Sequence, residues 1–327
     1  MRGVLVSVDK KKTTVISIIL SFRNEADVLD ELIRRLELVF SKETCDYELI
    51  FVNDDSTDDS RNILEKHHVR NSRVKVINMT RRFGVTECVF AGLEKASGDA
   101  VIYMDCDLQD PPELIPSLLS EWRAGADMVY TVRIQRDGEK PFRMYFTKLA
   151  YKIIGAFSEV ELPVEAGDFR LLDKKIVLEI LKLPEMEPYL RGLTSWVGFR
   201  KAKVEYVRAP RAGGKTHFPG IFSASAMDQF SRGITSFSFF PLFSLFVVGF
   251  LTVSLSIFGL FGALILQFID IFWSPWLYGG LIILALWGSL VCALGVIGVY
   301  LARVYSNVRG RPRFVVLDML GFSKAKQ

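Results

Sequence analysis

Along the N-terminal two thirds of the chain, short apolar runs alternate with segments whose apolar residues recur at helical spacing. Thr14 to Phe22, TVISIILSF, is β-branched and apolar and predicts a strand, and Glu25 to Phe40 then predicts a helix. Tyr47 to Val52 predicts a second strand, ending in NDDSTDDS, where Ser and Asp can cap a helix starting near Ser60. Val74 to Met79 predicts a third strand, and Glu87 to Ala96 a helix closed by Ser97-Gly98. Ala100 to Met104 predicts a fourth, with Pro112 to Ala124 as the helix behind it. Strands alternating with helices imply right-handed crossovers and a mainly parallel sheet covered by helices, the α/β class. No internal repeat or low-complexity stretch interrupts the pattern.

From Phe237 the pattern changes. FSFFPLFSLFVVGFLTVSLSIFGLFGALILQFI carries no ionised side chain, and the run from Trp276 to Ala302 is equally bare. Each exceeds the roughly 20 residues that cross a bilayer, so two transmembrane helices are expected. The connector from Gln267 to Pro275 holds Asp270 and no Lys or Arg, whereas Arg232, Arg303, Arg309, Arg311 and Arg313 lie on the outer flanks. The positive-inside rule then puts both termini and the soluble domain in the cytoplasm, with a bacterial inner membrane as the expected setting. The apolar stretch of MRGVLVSVDKKK is too short for a secretory signal. The organisation expected is a tail over 1–13, a catalytic domain over 14–220, a juxtamembrane helix over 221–235, two spans over 236–302 and a cytoplasmic tail over 303–327. Within the domain, Phe142, Tyr145, Leu149, Ile153 and Phe157 form one helical stripe over 141–157, with Lys148 and Lys152 on another face. A helix in the membrane interface gives this stripe, and so does a helix packed on the core.

Charge and cysteines narrow the classes. Lys and Arg number 41 against 37 Asp and Glu, a net charge of +4, and the basic residues border the apolar runs. That placement favours anionic lipid headgroups over nucleic acid. Cys45, Cys88, Cys106 and Cys292 show no C-x-x-C spacing, and His67, His68 and His217 no metal-ligand spacing, so reduced structural thiols are expected. Neither a G-x-G-x-x-G after the first strand nor a Walker loop is present, which disfavours dinucleotide oxidoreductases and P-loop NTPases.

The candidate chemistry sits at strand ends. Arg23-Asn24-Glu25, Asn53-Asp54-Asp55 and Asp105-x-Asp107, followed by Gln109, Asp110 and Pro-Pro, each close an apolar run. A lone D-x-D is weak, but three polar clusters on one rim of one sheet point to a nucleotide and metal site. Alternate residues of an extended chain point the same way, so Asp105 and Asp107 can converge on one hard cation that neutralises a substrate diphosphate.

SFRNEADVLDELI, FVNDDSTDDS, TRRFGVTECVFAGLEKASGD, MDCDLQDPPELIP and GDFRLLD together resemble the inverting family 2 glycosyltransferases of GT-A fold, over about residues 14 to 220. More closely they resemble the polyprenyl-phosphate sugar transferases, which include dolichol-phosphate mannose synthases and bactoprenol glucosyltransferases. Two C-terminal spans fit the latter branch. The resemblance implies that Glu25 and Asp54 contact the base and ribose of a nucleotide sugar. It places Asp105 and Asp107 in the acidic motif, with Asp107 and Gln109 as direct ligands of Mg²⁺ or Mn²⁺, and Asp168 beside the acceptor. Asp55 departs from the pattern, since the relatives usually have Gly there.

Phosphates need a cationic cradle, and Arg170, Arg191, Arg208 and Lys215 are its candidates, Arg191 on the donor side and the others for the acceptor or diphosphate. Arg200, Lys201 and Lys203 read as solvated surface charges. The implied reaction moves a hexose, glucose from UDP-glucose, to a polyprenyl (undecaprenyl or dolichyl) phosphate lipid at the cytoplasmic membrane face, with inversion. Asp168 can orient the phosphate, bind the sugar or act as a weak base. The alternatives are a GDP-mannose-dependent mannosyltransferase and a catalytically silent scaffold that binds nucleotide sugars. A processive synthase is opposed because its Q-x-x-R-W region reads YLRGL here. The strand-like FVVLDML of the tail is expected to pair with another subunit's tail, giving a homo-oligomer.

Overall fold

A computed structural model describes residues 13–135, 166–186, 188–207, 240–268 and 275–322. Four βα units open the chain: β1 (Val15–Phe22), α1 (Ala26–Phe40), β2 (Asp46–Asn53), α2 (Ser60–Arg70), β3 (Val74–Met79), α3 (Val85–Lys95), β4 (Ala100–Asp105) and, after a 3₁₀ turn at Pro112–Leu114, α4 (Ile115–Arg123). Then come β5 (Met128–Gln135), β6 (Ala166–Asp173), α5 (Lys174–Lys182), α6 (Leu190–Trp196) and β7 (Lys201–Val207). Two long helices, α7 (Phe240–Phe268) and α8 (Pro275–Val308), precede a last strand, β8 (Val316–Leu320).

The sheet has eight strands in the order β7-β5-β6-β4-β1-β2-β3-β8. β1 pairs in parallel with β2 and with β4, and β2 with β3. Both faces of β1 are covered, which is why its run is continuously apolar. Ile16, Ile18, Leu20 and Phe22 share one cluster with Leu29, Leu32 and Leu36 of α1, while Ile19 joins Val89, Phe90 and Leu93 of α3 on the other face. A Cβ on Gly92 would stand 2.5 Å from Ile19 Cγ2, so glycine lets α3 lie close on β1. The helix predicted over 112–124 begins as a 3₁₀ turn at Pro112–Leu114, and the prolines there cost nothing because the first-turn N–H groups have no partner within the helix.

Outside the first four strands the sheet is less parallel than expected. β6 runs antiparallel to β4 and β5, and β8 antiparallel to β3, while β5 and β7 are parallel. β8 lies in the FVVLDML stretch. It pairs with β3 of its own chain, covering an edge of N–H and C=O groups that β3 would otherwise present.

The expected pair of apolar segments is helical, α7 of 29 residues and α8 of 34, and the two pack together. Among the described residues, one segment, Ala285–Val308, is long and apolar enough to cross a membrane, and Val247–Gly259 is a shorter apolar stretch. The helices expected over 141–157 and 221–235 lie outside the described residues.

Candidate active site at the carboxyl rim of the sheet

Because β1, β2 and β4 are parallel neighbours, their carboxyl ends form one rim. Phe22 is level with Asn53, and Ser21 with Asp105. Each exit carries a residue in the left-handed region: Asn24 at φ 57°, Asp55 at 59° and Leu108 at 59°. Non-glycine residues take that conformation at a cost and collect at functional sites. Asn24 is held by the turn after β2: its N–H donates to Ser56 Oγ at 3.0 Å and its Oδ1 accepts the Thr57 N–H at 2.7 Å. Leu108 has no such local bond to offer, and burial of its side chain in the core compensates.

Asp54, 6% exposed, accepts the N–H of Phe83 at 2.6 Å and of Gly84 at 3.1 Å, one on each oxygen. It thereby draws the loop before α3 onto the rim. A carboxylate oxygen has a second lone pair, so these bonds leave capacity for a ribose hydroxyl. Glu25 is buried where β1 passes into α1, its N–H donating to Ser60 Oγ at 3.2 Å.

The acidic segment after β4 curls back on itself: Asp107, 5% exposed, accepts the Gln109 N–H at 3.2 Å. Asp110 is anchored from across the sheet by the hydroxyl of Tyr206 on β7. Between the two acidic residues, burial pushes the Cys106 thiol well above its ordinary value, and the charges of Asp105, Glu25 and Asp107 push it further.

Asp168 on β6 and Arg191 on α6 form a two-pronged ion pair, Nε to Oδ1 at 2.6 Å and Nη2 to Oδ2 at 2.5 Å. β4 and β6 are in register at Tyr103 and Arg170, and the same register continued by two residues sets Asp105 across from Asp168. Tyr103 marks the floor between them. Its hydroxyl is buried with no hydrogen-bond partner among the described residues, and burial pushes its pKa up to about 12, with Arg170 and Arg191 opposing and Asp168 adding to the shift.

Arg170 departs from its expected role. It is 1% exposed, and its guanidinium donates to the Gly167 carbonyl at 3.1 Å and to Thr194 Oγ1 at 2.6 Å. Thr194 Oγ1 donates in turn to the Arg191 carbonyl at 3.1 Å. Alternation puts Arg170 on the face of Asp168 but one step deeper, under α6, where it supports Arg191 instead of meeting a phosphate. Arg208 and Lys215 lie outside the described residues. Tyr206 and Tyr103 were not singled out from sequence: Tyr206 sits in a largely exposed strand with its partner Asp110 far back along the chain, and Tyr103 in an ordinary apolar strand.

The oxygen donors at the rim are Asp105, Asp107 and the Gln109 amide. Among the described residues no three His, Cys, Asp or Glu side chains are grouped to hold a metal. Two carboxylates and an amide fit a hard divalent ion that keeps water and takes substrate phosphate to complete its shell, as Mg²⁺ and Mn²⁺ do.

The acidic rim thus lies where β1 is flanked by β4 on one side and β2 on the other, the point at which the strand order reverses. Residues 17–181 match the model of glycosyl transferase family 2, and the chain belongs to that family of glycosyltransferases. It is 37% identical to an uncharacterised glycosyltransferase of Bacillus subtilis (strain 168), over 95% of each chain. It is 35% identical to a prophage-derived bactoprenol glucosyl transferase of Shigella flexneri, over 92% of this chain and 97% of that one. The solved mannosyl-3-phosphoglycerate synthase of Rubrobacter xylanophilus superposes with TM-score 0.49 at 18% identity, over 68% of this chain and 73% of its own.

Proposed function

We propose that the protein transfers glucose from UDP-glucose to polyprenyl phosphate at the cytoplasmic face of a membrane, inverting the anomeric carbon. The observation that carries this reading is the acidic rim at the exits of β1, β2 and β4, where Asn53 is level with Phe22 and Asp105 with Ser21, and β6, the strand beside β4, carries the Asp168–Arg191 ion pair. Similarity to a bactoprenol glucosyl transferase supports the lipid acceptor, since it extends through the C-terminal helices.

A lipid phosphate oxygen attacks the anomeric carbon from the face opposite the leaving group. The new carbon–oxygen bond forms as the bond to the diphosphate breaks, and UDP departs. A phosphate monoester loses its second proton near pH 6, so the nucleophile is already anionic and needs no strong base. Asp105, Asp107 and Gln109 would hold the divalent ion, which would supply positive charge where the leaving diphosphate develops negative charge. Glu25 and Asp54 position the nucleoside. Arg191, held by Asp168 on its side chain and by Thr194 on its carbonyl, offers a fixed guanidinium to phosphate oxygens. Asp168 orients that guanidinium and borders the place where acceptor and sugar meet.

Both α7 and α8 are read as membrane spans. At about 1.5 Å per residue α8 runs for about 50 Å, more than the roughly 30 Å hydrocarbon core, so its arginine-bearing end emerges from the bilayer. β8 joins that end to the sheet, which supports a catalytic domain on the same side.

Purified protein with radiolabelled UDP-glucose and polyprenyl phosphate tests the proposal. Labelled lipid is expected with Mg²⁺ or Mn²⁺, none with chelator, and about a hundredfold less with Asp107→Ala. Transfer from GDP-mannose alone would reassign the donor, and nucleotide-sugar binding without turnover from any donor would indicate the silent scaffold.

A further inference from the structure

Three polar side chains share one rung where the sheet approaches its edge. Asn53 on β2 is level with Asn78 on β3, and Asn78 with Asp318 on β8. They are bonded in series: Asn78 Nδ2 donates to Asp318 Oδ1 at 2.6 Å, and Asn53 Nδ2 donates to Asn78 Oδ1 at 3.0 Å. Asn53 Oδ1 then accepts the Ser56 N–H at 2.9 Å, and Ser56 Oγ accepts the Asn24 N–H at 3.0 Å. Both Asn53 and Asn78 are buried.

The direction of this ladder is set from its two ends, the Ser56 N–H, which only donates, and Asp318, which only accepts. An amide offers a donor on one side and an acceptor on the other, and turning it over exchanges them, whereas a carboxylate only accepts. Asp318, which also accepts from Arg61 Nη2 at 3.2 Å, therefore draws Nδ2 of Asn78 toward itself. That turns Oδ1 of Asn78 to Asn53 and Oδ1 of Asn53 to Ser56. With Asn53 turned over, two amide hydrogens would face the Ser56 N–H, and the bond that shapes the turn would be lost. Asp54 and the left-handed Asp55 lie within this turn, and the left-handed Asn24 is bonded to it.

We propose that Asp318 is a positioning residue for the sugar-nucleotide site. Through Asn78 and Asn53 it sets the turn that carries Asp54, so donor affinity depends on a docked C-terminal strand. The inference rests on the reading of this rim as the donor site.

Full-length wild type and Asp318→Asn in lipid nanodiscs are compared by transfer at varied UDP-glucose and varied polyprenyl phosphate, by UDP binding, and by amide hydrogen exchange at 53–58. GDP-mannose and GDP replace the uridine compounds should the wild type use that donor. Asp318→Asn preserves shape but removes the acceptor-only group, so the outer end no longer fixes the ladder's direction. The expected result is a rise of about fivefold in donor KM and nucleotide Kd, with kcat and lipid KM within about twofold, and faster exchange at Ser56. Combining Asp318→Asn with Asn78→Asp puts the acceptor-only group at position 78, where it accepts from both neighbours, and restores donor KM. Met319→Ala, on the same strand and 44% exposed, leaves donor KM unchanged. Equal donor constants in wild type and Asp318→Asn overturn the inference, as does an effect confined to the thermal midpoint or to the amount of active enzyme. A wild type that uses no nucleotide sugar and binds no nucleotide overturns the proposed function and takes the inference with it, an outcome the wild-type arm alone identifies.

Discussion

Two arginines close to Asp168 differ in depth, and depth separates their work. Arg170 is enclosed between β6 and α6, so Arg170→Ala leaves the Gly167 carbonyl and the Thr194 hydroxyl without their donor. A loss of about 2–3 kcal/mol is expected, read as a lowered unfolding midpoint of the full-length protein. The Asp168 side chain is 42% exposed, so its ion pair with Arg191 contributes about 0–1 kcal/mol to folding. Arg191→Ala is therefore expected to leave the midpoint nearly in place while transfer falls about a hundredfold. Midpoint and rate moving together in both variants would contradict this division. Asp55 offers a milder case. At φ 59° it occupies a conformation that glycine adopts without strain, and Asp55→Gly is expected to raise stability by about 0.5 kcal/mol, measured by the same unfolding experiment. The acidic residues of the rim were legible in the sequence because each closes an apolar run. The depth of Arg170 was not, since alternation names its face and not what covers it.

At the scale of elements, β1 to β4 could be read directly because a strand buried on both faces is apolar along most of its length. The pairing of β8 with β3 was not legible, because its exposure alternates between intermediate and open, and a five-residue edge strand contains nothing that specifies which edge it joins. Glu48 illustrates another limit. It looks like a polar residue at the start of β2, yet it is buried and collects Ser17 Oγ at 2.5 Å, the Ser97 N–H at 2.7 Å and Lys75 Nζ at 2.6 Å. It thus ties β1, β2, β3 and the α3–β4 turn at the end of the sheet opposite the site. Burial alone would raise its pKa, but the bonds from Lys75, Ser17 and Ser97 outweigh burial and hold it below the ordinary carboxylate value. The stability it contributes is present above the unfolded pKa of about 4.3 and is lost as pH falls through the lower folded value. Glu48→Gln is expected to cost about 3 kcal/mol at pH 7 and to flatten the decline of the unfolding midpoint below about pH 5. Parallel acid limbs in wild type and variant would remove Glu48 from that role.

For the whole molecule, the stretch after α8 decides where the catalytic domain lies. Asn307 Oδ1 accepts the Met186 N–H at 3.0 Å, and Arg313 stacks 4.6 Å from the Phe90 ring while donating to the Leu183 carbonyl. The Thr80 N–H donates to the Val315 carbonyl at 3.1 Å, and Phe314, Val316 and Phe322 pack on the core beside α3. The C-terminal end of α8 is thus fastened to the domain at several points and through different interactions, so the two share one side of any membrane that α8 crosses. Arg303, Arg309, Arg311 and Arg313 lie at that end, and cytoplasmic flanks are where such a cluster accumulates. Protease added to sealed inside-out vesicles is expected to digest the catalytic domain and to abolish transfer from external UDP-glucose. Right-side-out vesicles should protect the domain until they are permeabilised. Digestion in intact right-side-out vesicles would place the domain outside and would require the arginine cluster to have crossed the bilayer, against a cost of about 2.3 kcal/mol per charge for each 100 mV of inside-negative potential.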